Sequence, residues 1–576
     1  MGKVKQFIKS LIDKIPSWHQ WQKIPSVLNK KERYFILGFL ISAIISVFVW
    51  LIAYNLKNTV VAPNYGGSFT EGIAGNPQYL NPILNQANDA DRDLGELIFS
   101  GLMKYNGKGE LVPDLAENYE IKDEKTYDFH LKRNIKWHDG MPFTAEDVVF
   151  TITTIQNPDY RSPLRINWKD VEIEKLDEWT IRFKLKTPYA PFLANTTVGI
   201  APAHIWKNIP PEKFLLAPEN LNPIGTGPYR LKKMEKDKDG FITLIELEAF
   251  GDYNINRPFI EKININFYPS EEELIKAYNR GKVDNLALIS NQNKDLLRGL
   301  NIKSQIYRLT LPRYFAVFLN QSKSKALADK NVRLALNYAT NKKEIIERVL
   351  NGEGKQVDSP IPFGAFGKDE NIKIYEFNLQ KALEILDNAG WKDTNNDGIR
   401  EKGKDNLELE LITTDLSQLR QTADILKEQW TKIGASVNVI ISNIGEIQQK
   451  YIRPREYQAL IFGQVLGIDP DPYSFWHSSQ KRDPGLNLAL YDNSKADALL
   501  KDARQIINND ELRKQKYDQF QQLVIDDAAA IFLYSPDQLY IANKKIKGIS
   551  AENIPLPSKR FIDIDKWYIK TQRVKK

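Results

Sequence analysis

Three stretches hold residue types that could do chemistry. In IKWHDGMPFTAEDVVFTI, residues 135–152, His138 stands beside Asp139, the pairing a general base would use. Neighbouring side chains on an extended chain point apart, however, and no G-x-S-x-G nucleophile motif occurs. His138-Asp139-Gly140-Met141-Pro142 reads instead as a turn. Thr144 with Asp147 three residues later reads as a capping box, and Glu146 and Asp147 suit the first turn of a helix. In FGQVLGIDPDPYSFWHSSQ, residues 462–480, Asp469 and Asp471 are carboxylates able to hold an ammonium group, and Tyr473 and Trp476 could stack on a ligand. A rigid Pro turn over a buried Trp accounts for the same residues. A hydrolase would need two acids on opposite sides of a scissile bond, whereas Asp469 and Asp471 come from one loop and flank Pro470. In DTNNDGIRE, residues 393–401, Asp393, Asn395 and Asp397 alternate ahead of Gly398 as at the start of a calcium loop, but Lys404 stands where the bidentate Glu belongs. A hairpin turn rich in Asp and Asn fits those residues too. The five His, at 19, 130, 138, 204 and 477, form no pair at metal-ligand spacing.

Those residues must be positioned by a large body. At 576 residues the chain exceeds one ordinary core. YDFHLKR (127–133), TIRFKLK (180–186) and ITLIELEAF (242–250) alternate as half-buried strands, and ALIFG (459–463) reads as a buried one. EEELIKAYNRGKV (271–283) and QKALEILDNAGW (380–391) carry helical periodicity, with Asn388-Ala389-Gly390 as a C-cap signal. Strands and helices interspersed without strict alternation predict mixed α/β lobes. The absence of Cys excludes disulfides, thiolate metal sites and a lipidated Cys anchor. Of the net charge of +7, residues 1–33 supply +6 through eight basic residues against two acids. The rest is nearly neutral, which removes the basis for a nucleic-acid partner.

YFILGFLISAIISVFVWLIAY, residues 34–54, carries no charge over 21 residues, roughly 30 Å of helix and enough to cross a bilayer core. It is longer than the apolar part of a cleavable signal. It reads as an uncleaved anchor with the basic tail 1–33 cytoplasmic and the body outside the membrane. Val4, Phe7, Ile8, Leu11, Ile12 and Ile15 recur at helical spacing ahead of Pro16, as in a basic helix on the inner leaflet. Residues 55–67 are expected to be a linker.

The sequence also resembles a known family. LVPDLAENYEIKDEKTYDFHLKRNIKWHDGMPFTAEDVVFTI (111–152), NPQYLNPI (76–83), NPIGTGPYRL (222–231), FLNQSKSKALADKNVRLALNYATNKKEII (318–346) and GIDPDPYSFWHSS (467–479) are similar, in the family's order, to the family 5 extracellular solute-binding proteins, the peptide-binding components of ABC importers. The resemblance implies a bilobed fold of the type II periplasmic-binding-protein kind with an extra subdomain. Lobe I would be 61–110 with 231–308 and 536–576, the inserted subdomain 111–230, and lobe II 309–535. A solute, peptide or other, would bind between lobes that close by hinge motion, with no covalent step and no cofactor, and pass to ABC permease subunits. A monomer is expected. Peptide binders resemble G-W-x-x-D-Y, with the Trp lining the pocket and the Asp holding the peptide's amino terminus. Here Gln464 replaces that Trp and Asp469 stands near the place of the Asp, so recognition of a free amine is open. Tyr314 and Asn320, in the segment expected to cross between lobes, and Asn81, near the first strand, are further candidates.

Overall fold

The computed structural model describes residues 18, 22–23, 26, 28–86 and 88–576. The basic helix expected over residues 4–15 and His19 lie outside them. The chain divides into two compact units. The smaller runs through Asn64 and adds Lys570–Lys576; the larger is Tyr65–Ile569.

In the smaller unit one helix spans Lys30–Asn58, 29 residues long, with mean hydropathy 2.8 over its most apolar stretch and no residue buried. Among the described residues it is the one helix long and apolar enough to cross a membrane. It outruns the 34–54 span at both ends. Asn29 caps it, accepting from the Glu32 amide at 3.0 Å while Glu32 accepts from the Asn29 amide. The expected linker over 55–67 is corrected here. Residues 55–58 continue the helix, and Thr59–Asn64 forms a strand antiparallel to Lys570–Lys575. The physical reason lies at the far terminus. Arg573 donates to the Thr59 hydroxyl at 2.8 Å and to the Leu56 carbonyl at 3.3 Å, giving the helix end the partners its last carbonyls lack.

The larger unit is a bilobed α/β body. Its first sheet has seven strands in the order Ser304–Leu309, Gln538–Asn543, Asn285–Ile289, Ser68–Ala74, Lys262–Tyr268, Ile242–Ala249 and Tyr229–Lys236. Ser68–Ala74 is parallel to both of its neighbours, while the remaining pairs are antiparallel. Alternation sets its inner face: in Lys262–Tyr268, Ile263, Ile265 and Phe267 are buried and the residues between them are not. The second sheet has six strands in the order Gly354–Gln356, Ala530–Pro536, Arg313–Leu319, Ala459–Val465, Glu408–Thr414 and Ser436–Ser442. Ala530–Pro536 is buried at every position, as expected for a strand covered on both faces. A four-stranded antiparallel sheet from Ala116–Lys122, Thr126–Leu131, Thr180–Leu185 and Val171–Lys175 forms the extra subdomain.

The chain passes between the two large sheets twice: through residues 310–312, and through Asp537, which separates Ala530–Pro536 from Gln538–Asn543. The first lobe is braced by a buried ionic cluster. Arg560, Glu71 and Asp93 are all fully buried. The Arg560 guanidinium donates to both Asp93 oxygens at 2.7 and 2.6 Å and to Glu71 Oε1 at 3.2 Å. It also donates to the Pro557 carbonyl at 3.2 Å, and the Phe561 ring centre lies 4.1 Å away.

Candidate functional site

The His138 corner is scaffold. The Gly225 amide donates to His138 Nδ1 at 3.2 Å, so Nε2 carries the proton and donates to the Gly227 carbonyl at 3.1 Å. Asp139 turns the other way, to His204 Nε2 at 2.8 Å. Burial pushes the His138 pKa down to about 4, so the ring is neutral. The two glycines are required by a close approach: a Cβ on Gly225 would lie 1.8 Å from the Ile98 carbonyl oxygen. Thr144 caps Ala145–Gln156. Asp147 completes the box by accepting from the Thr144 amide at 2.9 Å, and it accepts from Ala203 as well.

Asp469 and Asp471 lie in the loop after Ala459–Val465, and each already faces a cation. Arg513 donates to Asp469 at 2.5 Å and Arg504 to Asp471 at 2.8 Å. Both arginines come from the helical part of the same lobe, Ser494–Gln505 and Asp510–Asp526. Burial raises the pKa of both acids and the arginines oppose the rise; at these distances we take both pairs as ionised. The Tyr189 hydroxyl, from the extra subdomain, also reaches Asp471 at 3.4 Å. The pair of carboxylates thus joins parts of the body, each paired with an arginine, while Asp471 Oδ1 is buried without a partner among the described residues. Tyr473 stacks on His477 with ring centres 4.1 Å apart, and the Arg504 guanidinium lies 4.3 Å from its ring centre.

Four expectations need correction on burial. Trp476 is fully buried among Phe318, Tyr491, Phe520 and Phe532, so it is core and lines no cleft. Asn320, fully buried, accepts from the Ser322 amide and hydroxyl and donates to the Arg455 carbonyl, which fixes a turn. Asn81, also buried, accepts from the Ile83 amide in the same manner. Tyr314 is buried too and donates to the side-chain amide oxygen of Gln464. Gln464 alone of these faces a cavity, one of about 310 Å³ walled by Ile452, Phe462 and Phe475. In the calcium-like stretch the oxygens hold their own loop: Asp393 accepts from the Gly398 amide, Asn395 from Asp397, and Asp397 from Ile399. Among the described residues no group of three or more His, Asp or Glu is placed to hold a metal ion.

Between the two big sheets lies a cavity of about 580 Å³. Glu271 and Asn291 line it from the seven-stranded side, Gln418 and Val465 from the six-stranded side, and Arg313 and Asp537 at the crossings. Val465 also lines the 310 Å³ cavity, so the two spaces meet at one residue. Arg313 was missed by sequence reasoning, although it is the lone charge in LTLPRYFAVFLN.

Two sheets joined by two crossings, with a cavity between them, define a solute-binding protein of the periplasmic type. The model of the bacterial extracellular solute-binding proteins, family 5, matches residues 110–487, and the chain belongs to that family. The oligopeptide-binding protein AppA of Bacillus subtilis is 30% identical over 525 residues, 89% of this chain and 94% of that one. Its structure with a nonapeptide superposes with a TM-score of 0.68 at 28% identity, covering 88% of this chain and all of that one. NikZ from Campylobacter jejuni, solved with Ni(L-His), gives a TM-score of 0.69 at 27% identity, covering 87% and 99%.

Proposed function

We propose that this chain is a membrane-tethered receptor that captures a peptide-like solute between its two lobes and delivers it to an ABC import permease. The observation that carries the reading is the 580 Å³ cavity bounded by both sheets and both crossings, in a family whose members include a protein solved around a nonapeptide. A cavity of that size suits a ligand of several residues' backbone or a smaller solute with its waters. Lobe I would comprise residues 65–110, 231–309 and 538–569, the subdomain 111–230 and lobe II 313–536. Residues 310–312 and Asp537 would serve as the hinge, since a few residues between packed sheets can absorb the rotation. The apolar helix 30–58 would act as a single-pass anchor with the body outside, holding the receptor at high local concentration near its permease. The chain would act alone and without a covalent step: the acids in its loop are held by arginines, as a structural role requires.

The test is to purify the full chain in mild detergent and identify by native mass spectrometry what remains bound. Peptides support the proposal. A metal chelate or sugar keeps the receptor and replaces its ligand, and release of cleaved products from added peptides overturns it.

A further inference from the structure

The smaller unit carries a patch of charge that the capture of a solute does not use. Its two-stranded ribbon, Thr59–Asn64 against Lys570–Lys575, starts where the apolar helix Lys30–Asn58 stops. Thr59 lies opposite Lys575 in register, and the Lys576 amide donates to the Asn58 carbonyl at 3.1 Å. Arg573 reaches the same place, donating to the Leu56 carbonyl at 3.3 Å and to the Thr59 hydroxyl at 2.8 Å. Lys57, Arg573, Lys575 and Lys576 therefore gather at one end of the helix. Lys570, opposite Asn64, adds a fifth cation at the far end of the ribbon.

Nothing in the unit neutralises them. All five cations are exposed, and among the described residues none of them forms an ion pair. The one acid among the described residues of the unit is Glu32, at the other end of the helix, about 37 Å away at 1.5 Å per residue. The ribbon also has an apolar foot. Val60 and Val574 stand opposite each other, so they share a face, and both are exposed. The sheet has no third strand. A ribbon of two strands is marginal in water and gains from a surface that covers it.

We infer that this basic ribbon docks on anionic phospholipid, holding lipid phosphate groups where the helix leaves the membrane. This rests on the anchor reading above and deepens it. The charge-free stretch 34–54 sets the depth, and Lys57 follows it closely enough to stand at the level of the headgroups. Ammonium and guanidinium groups hold phosphate oxygens through charge-assisted hydrogen bonds. Basic segments within a Debye length of a bilayer gain from each anionic headgroup. The Val60–Val574 pair suits the boundary just below those headgroups. The patch does not oppose the proposed orientation of the helix. Orientation is set by charges near the helix in sequence, and of the five only Lys57 is near it, against eight basic residues in 1–33. The other four arrive from the far end of the sequence, when the ribbon folds.

The test reconstitutes the full chain in phosphatidylcholine vesicles that hold traces of photoreactive phosphatidylglycerol or photoreactive phosphatidylcholine. Irradiation and peptide mass spectrometry then map the residues that each lipid reaches. Phosphatidylglycerol should label residues 57–61 and 572–576 about 5- to 30-fold more than phosphatidylcholine does, as one or two cations per headgroup would give. In Lys57→Gln/Lys575→Gln/Lys576→Gln, which keeps the Arg573 bonds, the two lipids should label the ribbon alike. Equal labelling in the native chain, with the chain resisting carbonate extraction, overturns the inference and leaves the anchor standing. Release of the chain by carbonate overturns the anchor reading itself. A preference that survives in the triple variant assigns the headgroup elsewhere and overturns the inference. Loss of the preference when inorganic phosphate is added at constant ionic strength would show a site for free anions, which also overturns it. The comparison of the two lipids on the native chain needs no variant, and thermal unfolding of the triple variant separates lost binding from lost fold.

Discussion

His138 gives the chain a measurable response to acid. The ring accepts from Gly225 and donates to Gly227, with Phe250 edge-on at 4.8 Å, so the neutral form is built in. Burial lowers its pKa from 6.5 to about 4; nearby Arg230 adds to the effect, and Asp139 and the bond to Gly227 oppose it. Between those two values the unfolded chain binds the proton and the folded one does not, so stability falls as pH drops through that window. Each tenfold change in proton affinity is worth about 1.4 kcal/mol, which makes the full effect about 3 kcal/mol, most of it lost by about pH 4.5. The assay has two arms. Proton–nitrogen spectra of the native chain, with His138→Gln to identify the resonance, should show His138 unprotonated down to about pH 5. Urea unfolding at about pH 7.5 and pH 4.5 should then show a smaller acid penalty in His138→Gln than in the native chain, by about 2–3 kcal/mol. A His138 midpoint near 6.5, or an equal acid penalty in both proteins, would refute the reasoning.

Other expectations follow from the same geometry. Arg560→Met should cost about 3–5 kcal/mol in urea unfolding, because it strands Glu71 and Asp93 together inside the first lobe. Gly225→Ala should cost about 1–3 kcal/mol or more, since its Cβ has no room beside the Ile98 carbonyl, and should raise the His138 pKa as the loop shifts. Asp469→Asn should cost about 2–3 kcal/mol through Arg513 and leave solute affinity unchanged; a lost affinity with unchanged stability would restore the amine-binding role. Calcium should not raise the melting temperature, because the oxygens of residues 393–397 already accept from their own loop.

What the sequence made legible was local. The apolar run, the Thr144–Asp147 box, the turn at His138 and the strands with period two all follow from neighbours within a few residues. The sites were decided at long range. Asp469 reads as an open carboxylate until Arg513, 44 residues on, is folded against it. Glu71 and Arg560 are 489 residues apart and carry no shared signal. The stretch 55–64 reads as a linker because its strand partner is the last segment of the chain. Trp476 illustrates a different limit: an aromatic in a Pro-rich loop suits a cleft wall and a core equally, and only the packing of Phe318, Phe520 and Phe532 around it decides. Arg313 could have been found, since a lone charge in an apolar strand demands a partner.

The chain contains no Cys, so two can be introduced without background. The exposed Leu296 and Leu416 stand in the first and second lobes respectively, and both accept a spin label without touching the cavity. The distance between labels at Leu296→Cys and Leu416→Cys, measured by pulsed electron resonance in the full chain, tests capture between the lobes most directly. The account predicts one distribution without solute and a shift to shorter distance when a bound peptide closes the lobes. Peptide binding with no change in that distance would contradict it.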